Sequence, residues 1–421
     1  MTVQTKQSIK SDVWLLLWVA WLAIAISQVL TFGYGMMVPH IMEDFAIDFA
    51  VIGNIGAIAS WVGVIATIPV TLLATKTSPR FTLPVIYILF AAGSLMFSLA
   101  ATTTMLYVGR MISGAAATGL VSCLVVVKIR RVPAERMLNV NSLENFVQPL
   151  GQTCGTMLAV QLMAMLGGWR GVHIATSVIM IICAVIYILV YGVINRKDPA
   201  VTVKSAEESA DVKSKERNPL LQALSKKDII LYSLAYPGKI IIWVGFFFFF
   251  PSYFMEQGFT AVQAGIATGL FPVFSALSAI TFPVVAQKLG LNKAVLVCSG
   301  VVLAGLYFLM LQVPNFALLC IVAALAGYVS YTPVPLFFTN VYKMGMPPGA
   351  VQMGISLLLT MVALGAAVGS SMIGALVNSY GLYLGLAVSC ATPLWYSVLT
   401  LLTRDYSDKA MAKRAAESSD N

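Results

Sequence analysis

The chain has 421 residues, 59% of them hydrophobic and only 10% charged, with a formal net charge of +9. A soluble domain carries about 25% charged residues, so lipid has to solvate much of this surface. That excludes an ordinary soluble enzyme or nucleic-acid-binding domain.

In chain order, the first apolar run covers 13–39. It is too long for the apolar core of a cleavable signal and reads as a first membrane span. Five more follow at 51–74, 81–101, 104–127, 142–166 and 171–194. Arg196–Lys227 then mixes eight Lys/Arg with five Asp/Glu. Such a stretch cannot bury a core and is expected to be a mostly disordered linker. Six more apolar runs occupy 229–255, 262–286, 294–312, 316–341, 350–377 and 382–403. Runs of about 20 apolar residues read as membrane helices. The predicted fold class is therefore all-α integral membrane, with 12 transmembrane helices in two sets of six.

The expected layout is a tail at 1–12, a bundle at 13–195, a linker at 196–228, a second bundle at 229–404 and a tail at 405–421. With the N-terminus inside, all but three of the 26 Lys/Arg lie on the cytoplasmic side. The exceptions are Arg110, Arg170 and Lys239, and only Arg170 falls in an outer loop. The positive-inside rule then puts both termini in the cytoplasm, and a bacterial inner membrane is the expected location, taking the source to be bacterial. The excess charge reads as topology and as contact with anionic lipid heads, with no nucleic-acid partner. The six cysteines all fall inside apolar runs without metal-type or paired spacing, and read as small core residues.

Two cations lie inside spans. Lys239 is ten residues into the seventh segment, about 15 Å deep at 1.5 Å per residue. A lysine at that depth costs about 2.5–3.5 kcal/mol. Pro237 and Gly238 are expected to loosen the helix just before it. Tyr236, Lys239 and Trp243 share one helix face. Arg110 is about six residues from the outer end of the fourth segment. No Asp or Glu sits at midplane: Glu144 is at the inner start of segment five and Glu256 at the outer end of segment seven. Two buried cations without an internal counter-ion point to an anionic substrate, which an arginine can grip through two parallel hydrogen bonds. A bond from Lys239 to helix carbonyls, and a structural or gating role for Arg110, are the bland readings of the same residues.

Candidate substrate-binding residues are thus Lys239, Arg110, Tyr236 and Trp243. To these are added Tyr34, Thr31 and Gln28 on segment one, and Tyr328 and Tyr331 on segment ten, where Pro333 and Pro335 are expected to bend the helix. Ser27, Ser113, Asn54, Trp61, Gln152, Gln352 and Ser356 are weaker candidates, because Ser and Thr in membrane helices commonly bond their own backbone. His40 and His173 lie near outer helix ends and read as interface hydrogen-bonding groups. No cofactor and no metal site is expected.

Several motifs resemble the major facilitator superfamily of transporters. "MMVPHIMEDFAIDFAVIGNIGAIASWVGVIATIPV" is similar to that family's first hairpin and second helix. "GRMISGAAATG" resembles its fourth-helix motif, with Arg110 at the arginine position and Gly114 and Gly119 allowing close packing. "GGWRGVHIAT" resembles the entry to its sixth helix. The resemblance implies two pseudo-symmetric six-helix bundles, a substrate site near midplane lined by helices 1, 4, 7 and 10, and rocking of one half against the other. It also implies latch loops. Here "TLLATKTSPR" keeps Lys76 and Arg80 but has Thr75 at the acidic position. "VVAQKLGLNK" keeps Lys288, Gly290 and Lys293 but has Gln287 there. The fifth-helix motif keeps Pro149, Gly151 and Gly155. These are the expected gating residues.

The leading reading is a monomeric secondary transporter of small organic anions, such as carboxylates, by exchange or proton coupling. A multidrug or cation exporter predicts acidic cavity residues, which the spans lack. A polytopic membrane enzyme needs clustered catalytic or metal-type ligands at one depth, which the scattered His and acids do not form. A receptor on a transporter fold would bind solute without moving it. No GxxxxGK[ST] motif for nucleotide occurs.

Overall fold

A computed structural model describes residues 11–132, 134–197, 219–289, 292–407 and 410–411. Among these residues all regular structure is helical. The elements are α1 (Ser11–Phe45), α2 (Phe49–Lys76), α3 (Pro79–Ser98), α4 (Thr103–Arg131), α5 (Ala134–Met157), α6 (Ala159–Leu166), α7 (Trp169–Lys197) and α8 (Pro219–Leu224). They continue as α9 (Lys227–Phe248), α10 (Phe250–Glu256), α11 (Ala261–Leu289), α12 (Asn292–Met310), α13 (Phe316–Tyr331), α14 (Pro333–Tyr342), α15 (Pro348–Ser389) and α16 (Thr392–Leu401). Each of the twelve apolar runs falls on one helix or a broken pair. The last two runs share α15, whose path is interrupted at Gly381, where φ is +81°. That left-handed geometry suits glycine, which has no Cβ to clash.

The chain clusters into two compact units, Met1–Ala46 with Ile58–Ser214, and Ile47–Ala57 with Lys215–Asn421. The start of α2 thus packs with the second unit. There Ser370 Oγ donates to the Gly53 carbonyl at 2.7 Å, and a Cβ on Gly374 would stand 2.6 Å from the Phe49 carbonyl oxygen.

In the first unit α3 packs on α4 and α7, and α1 packs on α5 and α7. The α1–α5 contact is made backbone to backbone. A Cβ on Gly151 would stand 2.6 Å from the Ala25 carbonyl oxygen, and one on Gly155 2.6 Å from that of Val29. Small residues four apart let membrane helices approach this closely, where packing rather than water exclusion holds them. Gly114 plays the same part against Ala59 of α2, whose Cα would be 2.6 Å from an added Cβ.

In the second unit α9 packs on α15 and α16, and α11 on α13. The five-phenylalanine run, Phe246–Phe250, is buried throughout. Phe246 meets Phe271 at 4.8 Å and Tyr307 at 5.7 Å between ring centroids. These rings form an aromatic core inside the bundle.

Three expectations are refined. α9 continues as helix through Pro237, which gives no N–H to the Ser233 carbonyl, and the break falls at Phe249, two residues before Pro251. Gly238 instead serves close packing, since a Cβ there would lie 2.8 Å from both the Thr392 carbonyl oxygen and Trp395 Cδ1. The stretch expected as linker is helical at both ends: α7 continues to Lys197, and α8 and the start of α9 occupy 219–228. Ala223 anchors α8, fully buried. The remaining linker positions, 198–218, lie outside the described residues. The third change concerns His173, taken up below.

Candidate functional site

Lys239 sits on α9 and is 4% exposed. Its Nζ donates to the main-chain carbonyl of Ser330. It also lies 5.7 Å from the Tyr236 ring centroid. The Ser330 carbonyl lies at a break in the helix that the local sequence sets. Pro333 has no N–H to give to the Val329 carbonyl, so α13 stops at Tyr331 and α14 restarts at Pro333. Thr332 Oγ1 takes over the Val329 carbonyl at 2.8 Å. Ser330 is in the last turn of α13, where carbonyls lack helix partners and the helix dipole is negative. A cation there is favourably placed, yet a neutral carbonyl does not cancel its charge.

Tyr236 is buried against Phe337, 5.0 Å between centroids. Trp243 is half-buried and meets Phe247 at 5.3 Å. Tyr328 shares a 2.9 Å hydrogen bond with Thr281. Tyr331 is among the exposed aromatics of this unit. Tyr236, Lys239 and the end of α13 are therefore brought together.

In the first unit, Arg110 on α4 is 5% exposed. Its guanidinium carbon lies 4.6 Å from the Tyr34 ring centroid on α1. That cation–π contact is worth about 0.5–2 kcal/mol and, like the carbonyl on Lys239, leaves the charge in place. Arg110 Nε has no hydrogen-bond partner. Ser113 Oγ donates to Arg110's own carbonyl at 3.2 Å. Thr31 and Ser27 likewise bond backbone one turn back, to Ser27 and Ile24. Gln28 is half-buried beside Gly151. The structure thus joins Arg110 with Tyr34, while the hydroxyls of Thr31, Ser27 and Ser113 are spent on their own helices.

His173 turns into the bundle rather than outward. It is 2% exposed, with Nδ1 3.0 Å from Ser94 Oγ and its ring stacked on Phe97 at 4.6 Å. The inward face of α7 carries it, a feature that counting residues from the helix end does not reveal. His40, by contrast, is exposed.

Two other cations show what an internal counter-ion looks like here. Lys128 on α4 bonds Glu144 on α5 at 2.7 Å, both buried. Arg170 pairs with Asp44, and Trp169 Nε1 donates to the same carboxylate oxygen at 3.0 Å. Among the described residues no carboxylate lies within ion-pair distance of Arg110 or Lys239. The partners Ser330, Phe337 and Asp44 escaped the sequence reading. Glu144 was noted at the start of segment five, but not as the partner of Lys128.

Among the expected gating residues, Gly114, Gly151 and Gly155 make the close contacts given above. Pro149 lies inside α5. Arg80 stands 5.4 Å from the Phe81 ring, and Lys293 is half-buried at the start of α12. Lys76 and Lys288 fall on α2 and α11 with side chains outside the description, and Gly290 lies outside the described residues. Among the described residues no group of three potential metal ligands occurs.

The family model of the Major Facilitator Superfamily matches residues 20–370. The chain belongs to the major facilitator superfamily. Its fold agrees: this superfamily member overlays a bacterial homologue of the human lysosomal transporter Spinster, in its inward-facing and unoccupied conformation, with TM-score 0.75. Identity is 14%, over 94% of this chain and 96% of that one. The inward-facing, occupied form of that homologue gives TM-score 0.74 at 14% identity, over 93% and 95% of the two chains. A curated relative is the nitrate/nitrite transporter NrtP of Picosynechococcus sp. (strain ATCC 27264 / PCC 7002 / PR-6), 31% identical over 106 residues. That match spans 25% of this chain and only 20% of NrtP. As a superfamily member the chain is a multi-pass integral membrane transporter of the secondary type, and the superfamily is one of transporters rather than enzymes.

Proposed function

We propose that this superfamily member carries a small anion, with Lys239 and Arg110 as the residues that receive its charge. One contrast carries the reading. Lys128 and Arg170 each have a carboxylate, whereas Lys239 and Arg110 have a carbonyl and an aromatic ring. A buried cation is costly unless something neutralises it. A substrate carboxylate or oxyanion supplies the missing charge and makes short charge-assisted hydrogen bonds.

The substrate class is a small organic anion such as a carboxylate, moved by exchange or with a coupled proton. The absence of a midplane carboxylate in the sequence favours exchange, or coupling through Lys239 or the substrate itself. The partial similarity to the nitrate/nitrite transporter NrtP adds inorganic oxyanions to the candidates. The excess of Lys/Arg on one side supports cytoplasmic termini, and the reading takes the membrane to be a bacterial inner membrane. The competing reading, a cation or multidrug exporter, needs an acidic residue beside the substrate.

The test is thermal stability of the purified full chain against mono- and dicarboxylates, nitrate and cationic drugs. A ligand of the folded state raises the melting temperature by mass action. An anion that stabilises the parent and not Lys239→Gln supports the assignment. Stabilisation by cations alone overturns it.

A further inference from the structure

The second unit holds a cavity of about 560 Å³ where α8 joins α9, α14 ends and the chain leaves α16. Lys226, Lys227, Lys343 and Arg404 line it, together with Asp228 and Tyr406. None of these belongs to the substrate residues above.

One carboxylate, Asp228, faces four lining cations, and neutral donors fix it in place. Asp228 is 6% exposed, its Oδ1 accepts from the Arg404 main-chain N–H at 3.2 Å, and its Oδ2 accepts from the Tyr406 hydroxyl at 2.5 Å. Lys343 Nζ donates to the Tyr406 carbonyl at 3.3 Å. These bonds tie the start of α9, the end of α14 and the segment after α16 into one frame. Among the described residues, no carboxylate lies within ion-pair distance of Lys226, Lys227 or Arg404. The cavity is therefore cationic on a fixed frame. The N-terminus of the 22-residue α9 opens beside it without a side-chain cap, which adds partial positive charge.

One edge of the cavity is apolar. Leu402 lines it, and both Leu401 and Leu402 are 57% exposed at the end of a membrane helix. A cationic recess bordered by exposed leucines at a helix end matches an acyl chain carrying a phosphate. Each Lys or Arg near a membrane surface contributes about 1 kcal/mol toward an anionic lipid.

We propose that this cavity binds a phosphate oxyanion, presented by an anionic phospholipid whose acyl chain runs along Leu401 and Leu402. Free phosphate shares the headgroup chemistry but has no use for the leucines.

Native mass spectrometry of the detergent-purified full chain tests this, with phosphatidylglycerol, phosphatidylcholine and inorganic phosphate as probes. The parent is expected to retain phosphatidylglycerol over phosphatidylcholine. The triple variant K226Q/K227Q/R404Q should lose that preference by at least about tenfold, while R131Q, which removes a basic residue outside the cavity, keeps it. Phosphate that displaces the lipid at equal concentration confirms the phosphate site and assigns it to the free anion. Equal retention of the two lipids by the parent, or unchanged preference in the triple variant, overturns the proposal. If the triple variant does not fold, the single variants Lys226→Gln and Arg404→Gln at these exposed positions are read instead. Each should lower retention about fivefold, and no change in either overturns the site.

Discussion

Lys239 Nζ donates to the Ser330 carbonyl in the last turn of α13, where the helix is interrupted ahead of Pro333. The amine is held in place by a neutral partner that supplies no opposing charge. Removing the prolines should move this partner. In the double variant Pro333→Ala/Pro335→Ala the N–H groups of residues 333 and 335 can bond the Val329 and Tyr331 carbonyls and draw α13 and α14 into one helix. We expect stability to hold or rise while anion transport falls about tenfold or more, read as melting temperature and flux side by side.

Arg110 rests on the Tyr34 ring, so the ring and the guanidinium should act together. Tyr34→Phe keeps the aromatic face and is expected to keep most of the transport activity. Tyr34→Leu loses the cation–π contact, about 0.5–2 kcal/mol, and adds a packing defect. Arg110→Lys should be nearly as damaging as Arg110→Gln, because a lysine has no planar fork for two parallel bonds. Binding titrations on the four variants check this order.

The Lys128–Glu144 pair is buried, so breaking it should cost far more than deleting it. Glu144→Gln leaves a buried ammonium without its counter-charge and should destabilise by about 3–5 kcal/mol. The double change Lys128→Met with Glu144→Met should recover most of that loss. A double-mutant cycle on thermal unfolding measures the coupling.

Gly155 lets α5 lie against Val29 and Gly33 of α1. Gly155→Ala should already destabilise, and Gly155→Val should cost about 1–3 kcal/mol as the helices are forced apart. Gly305, which has nothing within 4 Å of an added Cβ, should accept alanine with little change. Melting temperatures of the three variants test the contrast.

The twelve spans were legible because apolar runs of membrane length have few other readings. The break near Pro333 was legible for a related reason: a proline removes one named hydrogen bond. Pro237 looked equivalent, yet the helix assignment runs through it, and Gly238 packs against Trp395 and Thr392. Side-chain partners were the least legible part. Ser330 lies 91 residues from Lys239, and Asp44 lies 126 from Arg170. No local pattern links such pairs. Sequence could show that Lys239 and Arg110 lacked an acid nearby in the chain. It could not show which neutral group each would meet, nor that His173 turns inward onto Phe97.

The central claim is that Lys239 and Arg110 carry the charge of an anionic substrate. Flux into proteoliposomes tests it most directly, using the anion that best stabilises the parent, with Lys239→Gln and Arg110→Gln at matched protein levels. A charge-assisted bond contributes about 1.5–3 kcal/mol, so each variant should lose about tenfold or more in transport at low substrate. Full anion flux in both variants, or movement of cations but no anion by the parent, would contradict the account.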